Sequence, residues 1–435
     1  MKKNTLIIIL LLLNNQAFTQ DKNENLVTLI RQTLERSSRV KELQQQVLVG
    51  DYRTKVIETA LKPQVTGEVG YNRIDPVGSL VFAIPGFPER AVKFGPNNAI
   101  NTNVGVSYGI YDWGKTTTSA EKSKLETQLA GTNVEGMKTQ LAYQVANLYY
   151  GIIYSKKAIE VQKEQLKLIE DNSKVIEDRL KNGDALEYDK VSIQVRYKNA
   201  ETRLVDLQSQ LERQHIYLDA LVGYDTRDKI LANDFALDLS ANAAESAFDA
   251  AQNHNIELQA LKDRVAIAEK EISLAKIGSL PNLMFLAQVG LKNGFPDAET
   301  IETLKFNTIA GLKLTIPIFT GNKSSYQTSI AKINKDAIGY ATQTTNTALR
   351  RDIEVALNDM KTANEKLELS ERNVFQAQYA LKLADTRFKN GVITPVEIEI
   401  AQNGLREAQF TQLQYQYQST LAKLELNRLM GSKFW

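Results

Sequence analysis

Side chains that could carry out covalent or metal chemistry are few in this sequence. It contains no cysteine and only two histidines, His215 and His254, which do not show the spacing of metal ligands. Carboxylates such as Glu164 and Glu170 are plentiful, but they lie in polar helical stretches without a histidine-centred triad or a phosphate-binding loop. We therefore expect no catalytic residue, no metal site, no cofactor and no enzymatic activity.

The overall composition narrows the classes of partner and of fold. The 53 basic and 51 acidic residues nearly balance, whereas a general nucleic-acid binder usually carries a basic excess. Only 9 prolines and 23 glycines occur in 435 residues, which is typical of long uninterrupted helices. These numbers favour a helical protein that does not bind nucleic acid.

The first twenty residues have the pattern of an export signal. Lys2 and Lys3 precede the apolar stretch Leu6–Leu13, and a polar segment with small residues follows it. Eight apolar residues are too few to cross a bilayer as an anchor, and no cysteine is available for a lipid anchor. We predict a signal peptide over residues 1–20 and a mature chain outside the cytoplasm.

The remaining sequence is an internal duplication. The five residues 179–183 recur as 387–391, and residues 110–115 and 221–223 recur at the same offset of 208 positions as 318–323 and 429–431. Three short matches in the same order and at one offset indicate a tandem repeat. We predict a first repeat over residues 21–223, an equatorial connector over 224–254 and a second repeat over 255–435.

Each repeat has the same predicted order of elements: a helix, a β-hairpin, a long helix and a helix that returns after a sharp turn. Apolar residues alternate with polar ones in hairpins predicted at 64–112 and 282–318. Long helices follow at 115–180 and 323–388, and each would span about 100 Å at a rise of 1.5 Å per residue. The sharp turns are predicted near 181–187 and 389–395.

Strands of about ten residues with one apolar and one polar face are typical of outer-membrane barrels in exported proteins. Lipid cannot satisfy a free strand edge, and about eight strands are the fewest that close a barrel. Four strands from each of three chains would give twelve, so the sequence predicts an α+β membrane protein whose barrel is shared between chains. The alternative that the residues leave open is a soluble periplasmic coiled-coil rod with incidental hairpins.

Two further features fit the shared barrel. The long helices are too polar for lipid, so we expect them to continue the tube as a coiled-coil barrel in the periplasm. Aromatic residues at the strand ends would form a girdle at the membrane interface. These residues are Tyr108, Tyr111, Trp113 and Phe319.

The sequence resembles the TolC family of outer-membrane efflux and secretion channels. The resemblance is carried by the two turns at 179–183 and 387–391, by residues 255–258, and by the strand-to-helix passage 316–323. It implies a homotrimer with a twelve-stranded barrel and a long periplasmic helical barrel, located in the outer membrane of a Gram-negative cell. Its implied role is the passive exit duct of a tripartite efflux or type I secretion system. The implied partners are a periplasmic membrane-fusion (adaptor) protein and an inner-membrane efflux pump or ABC exporter.

The resemblance also implies positions for two sites. The adaptor-docking tip would consist of Arg179, Leu180, Gly183, Arg387, Phe388, Gly391 and Val392. In the first turn of this tip, Asp184 follows Gly183 where the family usually has an apolar residue, so the first-half tip departs from the family pattern. The periplasmic gate would include Asp189 and Glu397. From the residues alone, Thr394, Pro395 and Glu397 also form a helix capping box. A functional alternative to the duct is an envelope scaffold or adhesin without a conducting pore.

Overall fold

The chain is described from a computed structural model, over residues 21–82, 90–227, 230, 234–235, 244–295 and 300–435. The predicted signal peptide, residues 1–20, lies outside the described residues. Eight α-helices lie within the described part of the chain: α1 Asp21–Arg36, α2 Ser38–Glu58, α3 Lys115–Asn182, α4 Glu187–Val222, α5 Ala244–His254, α6 Ile256–Ile277, α7 Lys323–Lys389 and α8 Pro395–Met430. Six strands accompany them: β1 Gln64–Arg73, β2 Ser79–Phe82, β3 Arg90–Lys93, β4 Asn98–Tyr111, β5 Asn282–Lys292 and β6 Lys305–Thr315.

Four strands form one antiparallel sheet in the order β1-β4-β5-β6. The central pair, β4 and β5, comes from different repeats, so each repeat contributes one edge strand and one central strand. Strands β1 and β6 each have one edge that no other described strand pairs. Within the described residues, the sheet is therefore open and has two free edges.

The pairing register places the alternating apolar residues of all four strands on one face. Val65 lies opposite Val106, Tyr108 lies opposite Phe285, and Leu283 lies opposite Leu314. Directly opposed residues of antiparallel strands point to the same side of a sheet. Several side chains of this apolar face are exposed in the single chain: Val65, Val69, Tyr71, Val104, Val289, Phe306, Leu312 and Leu314.

The structure differs from the sequence prediction at two places, the connection within the first hairpin and the end of the second hairpin. Residues 74–97, for which the sequence indicates only a loop rich in proline and glycine, contain the short hairpin of β2 and β3. Strand β6 ends at Thr315, three residues before the predicted boundary at 318. Pro317 explains the earlier end, because proline has no N–H to donate to a strand ladder.

The chain divides into two compact units. The helical unit comprises the described residues within Met1–Gln44, Thr132–Ala260 and Thr342–Trp435, and the strand unit comprises those within Gln45–Gly131 and Leu261–Ala341. One core of the helical unit is built around Tyr149, Tyr150, Ile152, Ile153, Leu218 and Leu424, all fully or almost fully buried. None of the described helices is both long and apolar enough to span a membrane.

Candidate functional site at the paired helix turns

The turn between α3 and α4 is built on a left-handed glycine. Gly183 has a φ of 81°, and its N–H donates to the carbonyl of Leu180 at 3.1 Å. The next N–H, of Asp184, reaches back to the carbonyl of Arg179 at 2.8 Å. These two bonds form a Schellman motif, which ends α3 and satisfies its last carbonyls. The turn thus depends on a residue without a Cβ at position 183.

The turn between α7 and α8 repeats this geometry in the second half of the chain. Gly391 has a φ of 77°, and its N–H donates to the Phe388 carbonyl at 3.0 Å. The N–H of Val392 donates to the Arg387 carbonyl at 2.9 Å. Both halves of the duplication therefore use the same hydrogen-bonded reversal, as the recurring five-residue motif predicts.

The two turns contact each other through one side chain. The guanidinium of Arg179 lies over the ring of Phe388, with its carbon 4.7 Å from the ring centroid. It also donates a hydrogen bond to the Phe388 carbonyl. A cation above an aromatic face is attracted by the ring quadrupole, so this contact holds the first turn against the second.

A small apolar cluster lies beneath the turns. We call it the tip cluster; it consists of Ile169, Ile176, Ile193, Ala200, Leu381, Phe388 and Ile398. All four helices that meet at the turns contribute to it, namely α3, α4, α7 and α8. Phe388 is its largest member and is fully buried.

The predicted docking residues differ in how much of each is open to a partner. Val392 is 69% exposed and Arg387 is also exposed, whereas Arg179 and Leu180 are only half-buried. Phe388, in contrast, has no accessible surface in the single chain. Its side chain therefore supports the turns from within and is unavailable for direct contact with an adaptor while the tip cluster is intact.

Asp189, the first predicted gate residue, closes the start of α4. Its carboxylate accepts a hydrogen bond from the N–H of Leu186 at 3.0 Å. Leu186 occupies the N-cap position but has no side-chain oxygen, so only half of a capping box can form here. Asp189 also lies in the first turn of α4, where a negative charge interacts favourably with the positive end of the helix dipole.

Glu397, the second predicted gate residue, forms the full capping box that the sequence predicts. Its carboxylate accepts from the N–H of Thr394 at 2.8 Å and from the Thr394 hydroxyl at 2.9 Å, while that hydroxyl accepts from the N–H of Glu397 at 3.3 Å. Pro395 occupies the first helical position. The hydrogen bond from the Thr394 backbone, followed by that from its side chain, lowers the pKa of the Glu397 carboxyl.

The predicted interface aromatics lie in the strand unit. Tyr111 ends β4, and its ring meets that of Trp113 edge to face with centroids 5.0 Å apart. Phe319 follows β6 and is 84% exposed, and Tyr108 pairs with Phe285 on the apolar face. All four rings are exposed in the single chain and lie near or just beyond the ends of β4 and β6.

Comparison with known proteins assigns the family. A sequence profile for outer membrane efflux proteins matches residues 29–224 and 247–432, which together are most of the chain. The chain belongs to the outer membrane efflux protein family. The two matched stretches lie close to the two repeats that the internal duplication predicts.

Individual relatives of this chain are distant in sequence. It is 27% identical over 203 residues to the outer membrane protein TolC of Vibrio cholerae, a match that covers 46% of each chain and thus about half the length of that relative. It is 19% identical over 336 residues to the pyoverdine export outer membrane protein OpmQ of Pseudomonas putida, covering 77% of this chain and 71% of OpmQ. The crystal structure of VceC from Vibrio cholerae shares its fold, with a TM-score of 0.76, 16% identity, and coverage of 94% of this chain and 97% of VceC.

The sequence did not reveal an ionic link that joins the two returning helices, α4 and α8. Arg196 of α4 pairs with Glu399 of α8 at 3.0 Å and donates to the side-chain oxygen of Gln402 at 3.4 Å. Gln402 in turn donates to the carbonyl of Leu168 in α3 at 3.4 Å. Burial lowers the pKa of the Arg196 guanidinium, and the charge of Glu399 opposes that shift. The only sign of this ion pair in the sequence is the acidic residue at position 399, two residues after the predicted gate residue Glu397.

Leu186 and Tyr188 are two further exposed residues at the first turn that the sequence reasoning omitted. They are 68% and 75% exposed, and both stand within five residues of Gly183. An apolar residue at an N-cap, where Ser, Thr, Asp or Asn is usual, was the signal that could have identified Leu186. Together with Val392 they give the turns an apolar outer surface.

Neither histidine belongs to the tip cluster or to the two turns. His215 is buried in α4, and His254 ends α5. Within the ranges that the structure describes, no group of three or more His, Asp or Glu side chains is arranged to hold a metal ion.

Proposed function

We propose that this member of the outer membrane efflux protein family is a passive exit duct, formed by three copies of the chain. The observation that carries the proposal is the open four-stranded sheet with one apolar face and free edges on β1 and β6. In lipid every backbone N–H and C=O needs a partner, so these edges require strands from other chains. Three copies supply twelve strands, which exceeds the minimum of about eight for closure.

In this assembly the apolar face contacts lipid and the opposite face lines the water-filled bore. Tyr108, Tyr111, Trp113 and Phe319 then mark the membrane interface. The long helices, which are too polar for lipid, continue the duct into the periplasm. The duct moves cargo without chemistry of its own, and its energy comes from an inner-membrane efflux pump or ABC exporter.

The paired turns are the surface for the periplasmic adaptor in this proposal. Exposed residues at the turns, Arg387 and Val392 among the predicted ones together with Leu186 and Tyr188, offer apolar surface beside a positive charge. Gly183 and Gly391 fix the backbone there, while Arg179, Leu180 and Phe388 support it. Asp189 and Glu397 follow the turns, and in a trimer three copies of each would place carboxylates around a narrow opening.

Two measurements on the purified full-length protein test the duct. Because the chain has no native cysteine, pairs of introduced cysteines on the two edge strands report contacts between copies without ambiguity. Val69→Cys in β1 would be combined in turn with Ala310→Cys, Leu312→Cys or Leu314→Cys in β6. A disulfide needs Cα atoms within about 7 Å, so one register of the series should yield dimers and trimers on a denaturing gel.

The matched control joins Val69→Cys to Thr102→Cys, its partner within the same chain, and should oxidise without changing the apparent mass. Conductance across a planar bilayer is the second measurement, and a stable ionic current is expected. If all three cysteine pairs gave only monomers and the protein produced no current across the bilayer, the duct would be refuted and a scaffold without a pore would be favoured.

A further inference from the structure

A polar groove lies beside the tip cluster, between α3, α4 and α8 of the helical unit. It has a volume of about 370 Å³, and Ile169 and Ala200 belong both to its wall and to the tip cluster. Three arginines line it, Arg196, Arg203 and Arg406. The volume leaves room for a small polar group together with several waters.

Two of these arginines have no carboxylate partner. Arg196 is already paired with Glu399, but neither Arg203 nor Arg406 has a carboxylate oxygen within ion-pairing distance among the described residues. Arg203 is exposed, and its guanidinium carbon lies 5.7 Å from the ring centroid of Phe410. Burial, and then the positive charge of Arg203, lower the pKa of the half-buried Arg406 guanidinium, an effect that Glu407 opposes. The positive charges of Arg203 and Arg406 therefore repel each other.

Gln165, which also lines the groove, has a hydrogen-bond donor without an acceptor in the described part of the chain. Gln165 is 3% exposed, and its side-chain amide nitrogen has no hydrogen-bond partner among the described residues. A buried donor without an acceptor costs about 1–3 kcal/mol, so such groups are normally satisfied. A negatively charged hydrogen-bond acceptor would satisfy the amide donor of Gln165 and pair with the charges of Arg203 and Arg406.

We propose that this groove is a binding site for a compact oxyanion, a group of the carboxylate, sulfate or phosphate class carried by a diffusible solute. Guanidinium groups match such anions in geometry and bind them through paired charge-assisted hydrogen bonds. The two acids that line the groove do not fill this role, because Glu399 is paired with Arg196 and Asp206 is exposed to solvent without an ion pair to Arg203 or Arg406. A bound oxyanion would join α3, α4 and α8 immediately beside the tip cluster.

The test is a calorimetric titration of the detergent-purified full-length protein with sodium sulfate, against sodium chloride at matched ionic strength. Saturable sulfate binding is expected in the wild type, and Arg406→Gln should weaken it by about tenfold or more. Arg372→Gln removes the same charge from an exposed arginine of α7 that pairs with Glu368, and should leave the affinity unchanged.

Gln165→Glu keeps the shape of the side chain and supplies a carboxylate from within the groove. It should abolish sulfate binding and raise the thermal midpoint without sulfate, which separates loss of the site from loss of the fold. Sulfate binding retained in Arg406→Gln or in Gln165→Glu would overturn the proposal.

A silent titration in the wild type would overturn it as well. If Arg406→Gln also dissociated the assembled protein, the groove would instead receive a carboxylate from a neighbouring copy.

Discussion

The guanidinium of Arg179 lies 4.7 Å from the ring centroid of Phe388 and thereby joins the turn of one repeat to the turn of the other. The reverse contact does not exist, because the repeat equivalent of Phe388 is Leu180, which offers no ring to Arg387. Arg387 remains exposed. The duplication therefore places one arginine inside the tip as a support and leaves its counterpart on the surface.

The first prediction concerns this asymmetry. Arg179→Gln should weaken the contact between the turns by about 1 kcal/mol, since it removes a cation–π contact and a hydrogen bond to a backbone carbonyl. The amides of Gly391 and Val392 should then exchange hydrogen faster, by roughly five-fold. Arg387→Gln is the matched control and should leave these exchange rates unchanged. Equal rates in both variants would show that Arg179 does not hold the turns together.

The second prediction concerns the tip cluster. Phe388 is fully buried, so Phe388→Ala should destabilise the helical unit by about 3–5 kcal/mol through lost burial and a new cavity. Phe375, on the same helix, is 67% exposed, and Phe375→Ala should cost far less. Chemical unfolding followed by circular dichroism at a helix wavelength measures both. A small effect of Phe388→Ala would mean that the cluster does not stabilise the turns.

The sequence predicts these turns and the sheet better than it predicts the contacts between helices. Alternation in β1 and β6 assigns the apolar face from local pattern alone, and the register confirms it because side chains alternate with period two. The capping box at Thr394 and Glu397 is likewise local and was predicted correctly. The pairing of Arg196 with Glu399 depends on the packing of α4 against α8, about two hundred residues apart in the chain, and no local pattern encodes it.

The third prediction tests the gate. If Asp189 and Glu397 narrow the opening, replacing both by alanine should raise single-channel conductance in a planar bilayer, because the variant loses two carboxylates from each copy. The control replaces two exposed acids of α3 and α7, Glu177 and Glu371, by alanine and should leave conductance as it is. Conductance that is equal in both double variants would restrict Asp189 and Glu397 to their roles in capping α4 and α8.

The fourth prediction follows from the pKa of Glu397, which its hydrogen bonds from Thr394 lower. A carboxyl whose folded pKa is depressed contributes stability that is present above its usual value of 4.5 and is lost as the pH falls through the folded pKa. The protection of the amides in the first turn of α8 against hydrogen exchange, taken relative to the intrinsic exchange rate at each pH, should therefore fall below pH 4.5. Glu397→Gln should exchange faster at neutral pH and show less acid dependence, whereas an unchanged acid profile would exclude the capping carboxylate as its source.

The last prediction concerns His215, which is buried in α4 beside Thr226. The Thr226 hydroxyl donates to Asp219 at 2.7 Å, so the His215 Nδ1, 3.3 Å from that hydroxyl oxygen, must carry the proton that it donates. Burial, followed by the charges of Lys156 and Arg227, lowers the pKa of His215, while Asp219 and Glu212 oppose the shift. The folded protein therefore holds this imidazole neutral more strongly than the unfolded chain does.

The sign of the pH effect follows directly. Because the folded pKa lies below the usual value of 6.5, the unfolded chain takes up the proton first as the pH falls. Stability should be complete above pH 6.5 and should decline below it, with a slope of up to about 1.4 kcal/mol per pH unit for each chain. The slope would be measured by urea unfolding between about pH 7 and pH 5, above the range in which carboxylates titrate. His215→Asn should flatten this slope, because the environment of His215 is its physical cause; an unchanged slope in this variant would contradict the prediction.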